Sequence, residues 1–393
     1  MKNGRAQDGM GVLAEMIKKC GEFIIGVLTD LYNQVISIDA VLPETWKKTT
    51  LIVIHKAGDQ SRPENYRPIS IIPVLYELFS KLLYMRLAPI LDRQQSKDQA
   101  GFRPRFSTVH HLSAVTLLQE KAYEFQIPVW IAALDFKKAF DSVEHISLWR
   151  VLQKQAVPEG YINLLSRLYF GQEGQVRTDR MSKPFALKRG TKQGDPLSSL
   201  LFNAVLEDAM RDVIFLWLRR KSGVQLGYTE ISHLCNLRFA DDILLISTSL
   251  RKLKTMLGDI IHAARIRGLE LHPDKTKILS NVEHRKGIET AKYAKVAEMD
   301  IEILPISASV KYLGRRVCFQ RPHEAEIDNR VSCAWKRFMS MKAELTNKHF
   351  SLDKRLKVFD MTVGASLLYG TATWALTKEL EDRVRGAQRK CLE

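Results

Sequence analysis

The chain has 393 residues, of which 45% are hydrophobic and 26% are charged. These fractions are typical of globular proteins and exclude a collagen-like, coiled-coil or wholly disordered chain, and the length allows two or three subdomains. Lys and Arg number 60 against 44 Asp and Glu, which gives a formal net charge of +16. This excess favours a polyanionic partner, most often nucleic acid, although ribosomal, membrane-surface and ordinary soluble proteins share it.

Helical and strand-like patterns alternate along the chain. Helical spacing of apolar residues predicts helices over residues 13–38, 74–91, 112–125, 147–155, 162–170, 196–218 and 250–267. Runs of β-branched and apolar residues predict strands over residues 46–56, 129–134, 234–239 and 243–246. Residues 171–194 and 281–309 are expected to be irregular, and the chain beyond Glu324 mostly helical. The alternation predicts an α+β sheet domain with helical additions, followed by a helical module.

Cysteine spacing and hydropathy indicate the cellular setting. The five cysteines lie far apart without a Cys-x-x-Cys pair, which indicates neither a disulfide framework nor a zinc cluster. The first ten residues are polar. No later stretch contains the ~18 uninterrupted apolar residues of a membrane span. The sequence therefore predicts a soluble, intracellular protein with no membrane partner.

Three carboxylates stand at the ends of predicted strands. Asp135 follows the apolar run Val129–Leu134, and Asp241-Asp242 interrupts two further strands, which predicts a tight hairpin with both carboxylates at its tip. An ordinary polar turn is the alternative. If the strands are neighbours, the carboxylates converge and need divalent cations, for which Mg²⁺ or Mn²⁺ is suited. Two such ions ~3.5–4 Å apart serve polymerases and nucleases alike, so the spacing does not choose between these.

The carboxylates stand within ordered motifs that run from about Trp46 to Leu279. The motifs are Leu51-Ile-Val-Ile-His-Lys56, Glu64-Asn-Tyr-Arg-Pro-Ile-Ser70, Gln99-Ala-Gly-Phe-Arg-Pro-Arg-Phe-Ser-Thr108, Ala133-Leu-Asp-Phe-Lys-Lys-Ala-Phe-Asp-Ser142, Arg189-Gly-Thr-Lys-Gln-Gly-Asp-Pro-Leu-Ser-Ser199, Phe239-Ala-Asp-Asp242 and Gly268-Leu-Glu-Leu-His-Pro-Asp-Lys-Thr276. Together they resemble the reverse transcriptase domain of a non-LTR (LINE-like) retrotransposon polyprotein, and the chain is expected to be a truncated copy.

The resemblance implies an RNA-directed DNA polymerase with a right-hand architecture: fingers, a palm with an antiparallel sheet, and a helical thumb. The implied domains are an N-terminal helical extension (1–45), fingers (46–128), a palm (129–282) with a finger insertion (143–190), and a primer-grip hairpin with a partial thumb (283–393). The implied partners are an RNA template, a DNA primer and dNTPs, with the endonuclease function absent from this chain. Residence in the nucleus or cytoplasm is expected, and in the nucleus if the protein integrates DNA.

The resemblance also assigns roles to single residues. Asp135, Asp241 and Asp242 are the implied catalytic carboxylates, and two Mg²⁺ would be held by Asp135, Asp241 and the backbone carbonyl of Phe136. The residues implied to bind the incoming nucleotide are Lys56, Arg67, Phe140, Gln193, Gly194 and Lys275. The residues implied to contact template or primer are Arg103, Arg105, Tyr312, Leu313 and Gly314.

Several of these roles rest on simple chemistry, and some have plain alternatives. Lys56 and Arg67 would clamp the triphosphate, and Lys275 would be a general acid toward the leaving pyrophosphate. The ring of Phe140 would lie beneath the sugar and exclude a 2′-hydroxyl, although a core aromatic is the alternative. Asp195 is expected to cap the following helix, and Asp141 to cap or pair locally rather than bind metal.

Two rival functions remain open at this stage. A truncated element copy can persist as a nucleic-acid-binding relic without catalysis, although its carboxylates are intact. An RNA polymerase or an intron-type maturase polymerase is the other rival, because the same carboxylates serve those enzymes.

Overall fold

The computed structural model describes residues 3–4, 7–37, 41–56, 58–227, 233–282 and 292–393. Parts of all four predicted domains lie outside these residues, namely 1–2, 5–6 and 38–40 of the N-terminal extension, 57 of the fingers, 228–232 of the palm and 283–291 of the primer-grip and thumb segment. The predicted helix end at Ile38 is also outside them. The chain divides into two units: Met1–Lys97 with Phe136–Val213 and Ile260–Glu270, and Asp98–Asp135 with Ile214–Asp259 and Leu271–Glu393.

The first unit is mainly helical. Its helices are α1 (Ala14–Lys19), α2 (Gly21–Ile36), α3 (Glu44–Lys47), α4 (Val74–Gln94), α6 (Ala139–Ser142), α7 (His145–Lys154), α8 (Glu159–Tyr169) and parts of α9 (Ser198–Arg219) and α10 (Leu250–Arg265). Its strands are β1 (Lys48–His55), β2 (Tyr66–Ile71), β4 (Glu173–Arg177) and β5 (Phe185–Ala186). The elements missing from this numbering, α5 (Thr108–Glu124) and β3 (Trp130–Leu134), belong to the second unit. The helices predicted in this part of the chain are confirmed, with the first divided into α1 and α2.

The four strands of the first unit form one sheet in the order β2-β1-β4-β5. The apolar strand β1 pairs antiparallel with β2 and parallel with β4. Strand β2 contains Pro68 and lies at the sheet edge, where a missing N–H is tolerated. The prediction of an irregular stretch at residues 171–194 was wrong for β4 and β5, whose few residues are stabilised by pairing with distant strands.

The second unit contains a six-stranded sheet in the order β11-β12-β10-β3-β9-β8. Besides β3, the strands of this unit are β6 (Val224–Gln225), β7 (His233–Leu234), β8 (Asn236–Phe239), β9 (Asp242–Ser247), β10 (Lys277–Ser280), β11 (Tyr293–Val296), β12 (Met299–Ile303), β13 (Val310–Tyr312) and β14 (Arg315–Val317). Strand β3 pairs antiparallel with both β9 and β10. The condition set for the carboxylates, that their strands are neighbours, is therefore met, whereas β11 and β12 were not predicted.

Two apolar clusters stabilise the second unit. In the first, Leu112 and Val115 of α5 pack with Ile131 of β3 and Leu244 of β9. The second lies among helices α11 (Pro322–Ser340), α12 (Lys342–Leu345), α13 (Leu352–Phe359), α14 (Ala365–Leu367) and α15 (Lys378–Leu392). The predicted helical module after Glu324 is confirmed. Within the part of the chain that the structure describes, no helix is long and apolar enough to cross a membrane.

Candidate active site

A tight hairpin carries two of the three predicted carboxylates. Strands β8 and β9 are joined by the two residues Ala240 and Asp241, because Phe239 pairs with Asp242. Ala240 has a positive φ of 56°, as the first loop residue of a type II′ turn does. We call residues 236–247 the carboxylate hairpin. The predicted hairpin is confirmed, but only Asp241 lies in its loop, and Asp242 begins β9.

Asp135 lies at the neighbouring strand end. Leu134 is paired with Ile243, and the next position in this antiparallel register brings Asp135 opposite Asp242. The backbone of Asp135 is fixed on both sides, since its N–H donates to Thr276 Oγ1 (3.3 Å) and its carbonyl accepts from the His272 N–H (2.7 Å). The sheet therefore brings the predicted carboxylates to one end of two adjacent strands.

A lysine offsets part of this negative charge. Lys275 Nζ lies 3.8 Å from Asp135 Oδ2, and the Asp135 side chain is 40% exposed. Among the described residues, no three His, Cys, Asp or Glu side chains form a group that could hold a metal ion. The donor chemistry nevertheless suits Mg²⁺, because carboxylate oxygens from two strand ends are hard ligands and Asp135 is open to solvent. The ring of Phe136 is buried, so its predicted role concerns the backbone carbonyl alone.

One of the predicted nucleotide-binding residues, Gln193, lines a cavity of about 410 Å³ in the first unit. The loop 190–194 is held from two sides, since Thr191 N–H donates to the Phe140 carbonyl (2.7 Å) and Ser70 N–H to the Gln193 carbonyl (2.9 Å). Gly190 has φ +90°, and a Cβ there would lie 2.7 Å from the Asp141 carbonyl oxygen. Glycine is therefore required for this loop to pack against α6.

Gln193 has a charged partner in the same unit. Its Nε2 donates to both carboxylate oxygens of Asp141, at 3.0 and 3.1 Å. Burial raises the pKa of Asp141, and the Gln193 hydrogen bond and the cations Lys138 and Arg67 oppose that rise. The partner Gln193 is 52 positions away in the sequence, so the expectation of a local cap or pair for Asp141 stays a prediction. The predicted contact of Gln193 with a nucleotide stays a prediction.

The remaining nucleotide-site predictions fall on accessible positions. Phe140 is half-buried and stacks on the buried Phe202, with ring centroids 4.4 Å apart and an interplanar angle of 23°. The predicted sugar-contact role of Phe140 and the alternative core role both stay predictions. Lys56 and Arg67 are exposed on the β1–β2 hairpin, where Arg67 pairs with Ile54.

Asp195 is not the N-cap of α9, because that helix begins at Ser198. Its carboxylate is buried and accepts from the Leu197 N–H (3.0 Å), the Tyr76 hydroxyl (3.1 Å) and the Ser80 hydroxyl. Burial raises the pKa of Asp195, and these donors oppose the rise. The predicted cap was wrong because this carboxylate anchors the loop to α4 instead.

Lys192 is a buried cation that the sequence motif contains but does not explain. Its Nζ donates to the Trp46 carbonyl (3.1 Å) and lies 4.4 Å from the centre of the Tyr76 ring. Burial lowers the pKa of Lys192 to about 8, and the nearby Asp195 carboxylate opposes that fall. Charged residues are usually exposed, so periodicity gave no signal for this pair. The sequence feature that could have indicated this pair is its position, since Lys192 and Asp195 flank the Gln-Gly turn directly.

The predicted template and primer residues divide into exposed and buried ones. Arg105 is exposed, whereas Arg103 is half-buried, donates to the Gln99 carbonyl (2.9 Å) and stacks on Phe106. Strands β13 and β14 form the predicted hairpin, with Leu313 and Gly314 in its loop. The side chains of Tyr312 and Leu313 are buried in the first apolar cluster. A primer contact would therefore come from Gly314 and the hairpin backbone.

His111 connects the Tyr312 hairpin to α5 and should make stability depend on pH. His111 Nδ1 lies 3.0 Å from the Tyr312 hydroxyl. Burial, with smaller effects of His110 and Arg238, lowers the pKa of His111 to about 4 from 6.5. The unfolded chain thus binds more protons than the folded protein between these values, so the stability falls as the pH drops below about 6.5.

We expect the wild type to lose about 2 kcal/mol relative to the H111Q variant between pH 7 and pH 4.5. Glutamine can still bond the Tyr312 hydroxyl but does not titrate. Urea unfolding of both proteins at the two pH values measures the difference. An unchanged difference between the two proteins would show that His111 is not protonated preferentially in the unfolded chain.

These features define a class of protein. A sheet in which one carboxylate follows an inner strand and two more lie on the adjoining antiparallel hairpin is typical of the palm of a nucleotidyl-transferring polymerase. Residues 54–317 match the family described as "Reverse transcriptase (RNA-dependent DNA polymerase)". The chain belongs to this family, and the predicted α+β right-hand polymerase fold is confirmed.

Curated relatives come from retrotransposable elements. The "Retrovirus-related Pol polyprotein from type-1 retrotransposable element R2" of Popillia japonica is 30% identical over 286 residues, covering 70% of this chain and 38% of the relative. The type-2 R2DM polyprotein of Drosophila melanogaster is 28% identical over 70% of this chain and 25% of its own length. The "Probable RNA-directed DNA polymerase from transposon X-element" of the same species is 26% identical over 92% and 39%. The predicted non-LTR resemblance is confirmed.

The chain spans between 25% and 39% of the length of these relatives. Among solved structures, apo telomerase from Candida Tropicalis is 12% identical, with a TM-score of 0.48, 90% coverage of this chain and 63% of that chain. These values are too low to add to the fold assignment.

Proposed function

We propose that this chain is an RNA-directed DNA polymerase that extends a DNA primer on an RNA template. The observation that carries the proposal is the placement of Asp135 beside the carboxylate hairpin in the palm sheet. Membership of the reverse transcriptase family supports it. The alternatives in other polymerase classes lack such support, although a binding relic remains a distinct outcome of the test below.

The carboxylates would hold two Mg²⁺, for which Mn²⁺ is a substitute. We assign Asp135, Asp241 and the Phe136 carbonyl as ligands, with Asp242 on the primer side. When bound, the ions supply charge stabilisation for the attacking and leaving oxygens of an in-line displacement. In that reaction the primer 3′-oxygen bonds to the α-phosphorus of a dNTP, and the bond to the β-phosphate oxygen breaks.

Cationic side chains would bind the triphosphate and protonate the leaving group. Lys56 and Arg67 are exposed on the β1–β2 hairpin, which leaves both free to contact phosphate oxygens. Lys275 Nζ lies beside Asp135, and we assign its ammonium group the role of giving a proton to departing pyrophosphate. Gln193 and Gly194 would position the nucleotide, with the Gln193 amide held by Asp141.

The nucleic acid would lie along cationic surfaces. A groove of about 1120 Å³ in the second unit is lined by basic residues of the β13–β14 hairpin and α11, namely Lys311, Arg316, Arg330, Lys336 and Arg337. Such a surface suits a phosphate backbone. Gly314 also lines this groove. We therefore propose that the groove receives the primer-template duplex, while Arg103 and Arg105 contact the template strand.

The predicted domains are kept as part of this proposal. They are the extension 1–45, fingers 46–128, palm 129–282 with its insertion 143–190, and the primer-grip hairpin with thumb 283–393. DNA nicking is assigned to another polypeptide or segment. If the synthesised DNA is integrated, the protein acts in the nucleus.

Primer extension on matched RNA and DNA templates tests the proposal. We expect dNTP incorporation on the RNA template in Mg²⁺, with little incorporation of ribonucleotides. Preference for ribonucleotides would indicate an RNA polymerase. Tight binding of primer-template without incorporation in either Mg²⁺ or Mn²⁺ would indicate the relic.

Phe140 should control the choice of sugar. If its ring lies beneath the ribose, F140V removes the clash with a 2′-hydroxyl. The preference for deoxynucleotides should then fall by about tenfold or more, since such overlaps cost roughly 1–3 kcal/mol. Steady-state kcat/KM values for dNTP and rNTP measure the preference. F170V is the matched control, because Phe170 is in the same unit and is 79% exposed. Equal preference in wild type and F140V would assign Phe140 to the core.

A further inference from the structure

A short segment of the basic turn pairs with the carboxylate hairpin. Gln99 forms an isolated parallel bridge with Arg238 of β8. The Arg238 N–H donates to the Asp98 carbonyl (2.8 Å), and the Ala100 N–H donates to the Arg238 carbonyl (2.9 Å). These bonds fix residues 98–100 alongside β8, within the second unit.

The side chain of Gln99 reaches the hairpin loop itself. It is fully buried, and its Oε1 accepts from the Ala240 N–H (2.9 Å) and from the Gly101 N–H (2.8 Å). Ala240 is in the two-residue loop, outside the β8–β9 ladder, so its buried N–H needs another acceptor. The Gln99 side chain supplies that acceptor to Ala240, the residue that directly precedes Asp241.

Gly101 allows this contact to form. A Cβ at Gly101 would lie 2.3 Å from the Ala240 nitrogen and 2.8 Å from the Phe239 carbonyl carbon. Both neighbours are backbone atoms of the carboxylate hairpin and cannot rotate away. Any side chain at this position would therefore displace the loop that carries Asp241.

Gln99 also contacts the basic turn, residues 99–108, that is predicted to bind the template. Arg103 Nη1 donates to the Gln99 carbonyl (2.9 Å), and the Arg103 guanidinium lies 4.6 Å from the centre of the Phe106 ring. Gln99 thus makes backbone contact with the basic turn and side-chain contact with the hairpin loop. Its burial and two accepted bonds leave it few alternative rotamers.

We propose that Gln99 is a positioning residue that fixes the Ala240-Asp241 loop and thereby sets the place of the Asp241 carboxylate. Ala240 has a positive φ, which is unfavourable for a residue with a Cβ, so the turn needs support from its surroundings. The side-chain Oε1 of Gln99 and the close packing of Gly101 provide it. The catalytic consequence rests on the proposed function, whereas the structural effect does not.

The test compares wild type, Q99M and Q99E. Methionine matches the size of glutamine but cannot accept these bonds, whereas glutamate retains an acceptor oxygen. Gln119 offers the control Q119M, because it is a buried glutamine of the same unit whose Nε2 donates to the Cys318 carbonyl. Hydrogen exchange of the Ala240 amide, followed by NMR after ¹⁵N-alanine labelling, reports on the loop whether or not the protein is active.

We expect Q99M to speed exchange at Ala240 by about tenfold or more, because an unpartnered buried N–H is costly. Q99E and Q119M should change it by less than about threefold. In primer extension, Q99M should lower kcat by about tenfold or more and leave the KM for dNTP nearly unchanged, with partial recovery in Q99E. Unchanged exchange in Q99M would overturn the proposal, as would faster exchange with unaltered kcat. An inactive wild type would count against the proposed function, and the exchange result alone would then decide on Gln99.

Discussion

Replacing Asp241 by Asn should abolish primer extension. Asparagine keeps the size of the side chain but carries no charge, so the hairpin loop loses half of the carboxylate pair assigned to the divalent ions. Such ions contribute several kcal/mol of transition-state stabilisation, so we expect the rate to fall by about 10³-fold or more. Single-turnover extension on an RNA template in Mg²⁺ measures the loss.

The control for this substitution is D300N. Asp300 is an exposed carboxylate of β12 in the same sheet, and strand β10 separates it from β3. D300N should retain wild-type activity, and both variants should unfold at the wild-type temperature. Substantial extension by D241N would remove Asp241 from the catalytic set.

Replacing Arg267 by Met should strongly destabilise the first unit. The Arg267 side chain is 6% exposed and donates from Nε and Nη2 to Asp208 Oδ2 at 2.9 and 2.5 Å, and to Asp212 Oδ2 at 2.6 Å. Its Nη1 donates to the Ala263 carbonyl (2.7 Å). Breaking a buried pair leaves an uncompensated charge on Asp208, so the free energy of unfolding should fall by about 3 kcal/mol or more. The midpoint of urea unfolding measures the effect.

The substitution K154M is the control, because it removes another cation that contacts the Asp208 carboxylate. Lys154 Nζ lies 3.4 Å from Asp208 Oδ1, but the lysine side chain is 62% exposed. K154M should therefore cost about 1 kcal/mol or less. Similar losses in the two variants would mean that burial does not set the strength of the Asp208 pairs.

The sequence predicted the elements that carry their own local signal. The run Trp130–Leu134 and residues 243–246 are apolar, and Leu237 and Phe239 alternate with polar residues before Ala240, so a hairpin beside a third strand followed from composition and motif order. The two-residue loop was less accessible to prediction, because register depends on turn geometry and one residue changes which carboxylate lies at the tip.

Some strands were not predicted because their pairing partners lie far away in the sequence. Strand β4 is polar, and it forms because residues 173–177 pair with residues 48–52 of β1. No local pattern encodes a partner so distant in sequence. Strand β12 did offer a sign, since Ile301 and Ile303 are buried and alternate with Asp300 and Glu302.

Within the candidate site, the residues missed were polar and buried. Lys192 and Asp195 stand in a glycine-rich turn, where polar residues are expected to face solvent. Their burial depends on Trp46 and Tyr76, which lie more than one hundred residues earlier in the chain. In the sequence, Gln99 is likewise only the first residue of a basic turn. Its contact with Ala240 depends on the parallel bridge to Arg238, which appears only once the sheet is assembled.

The most direct measurement of the central claim is single-turnover addition of one deoxynucleotide to a DNA primer on an RNA template. The extended primer and released pyrophosphate should appear in equal amounts in Mg²⁺, and both should be absent after chelation of the metal. A stable complex with primer-template that forms neither product in Mg²⁺ or Mn²⁺ would contradict the assignment of this chain as a polymerase.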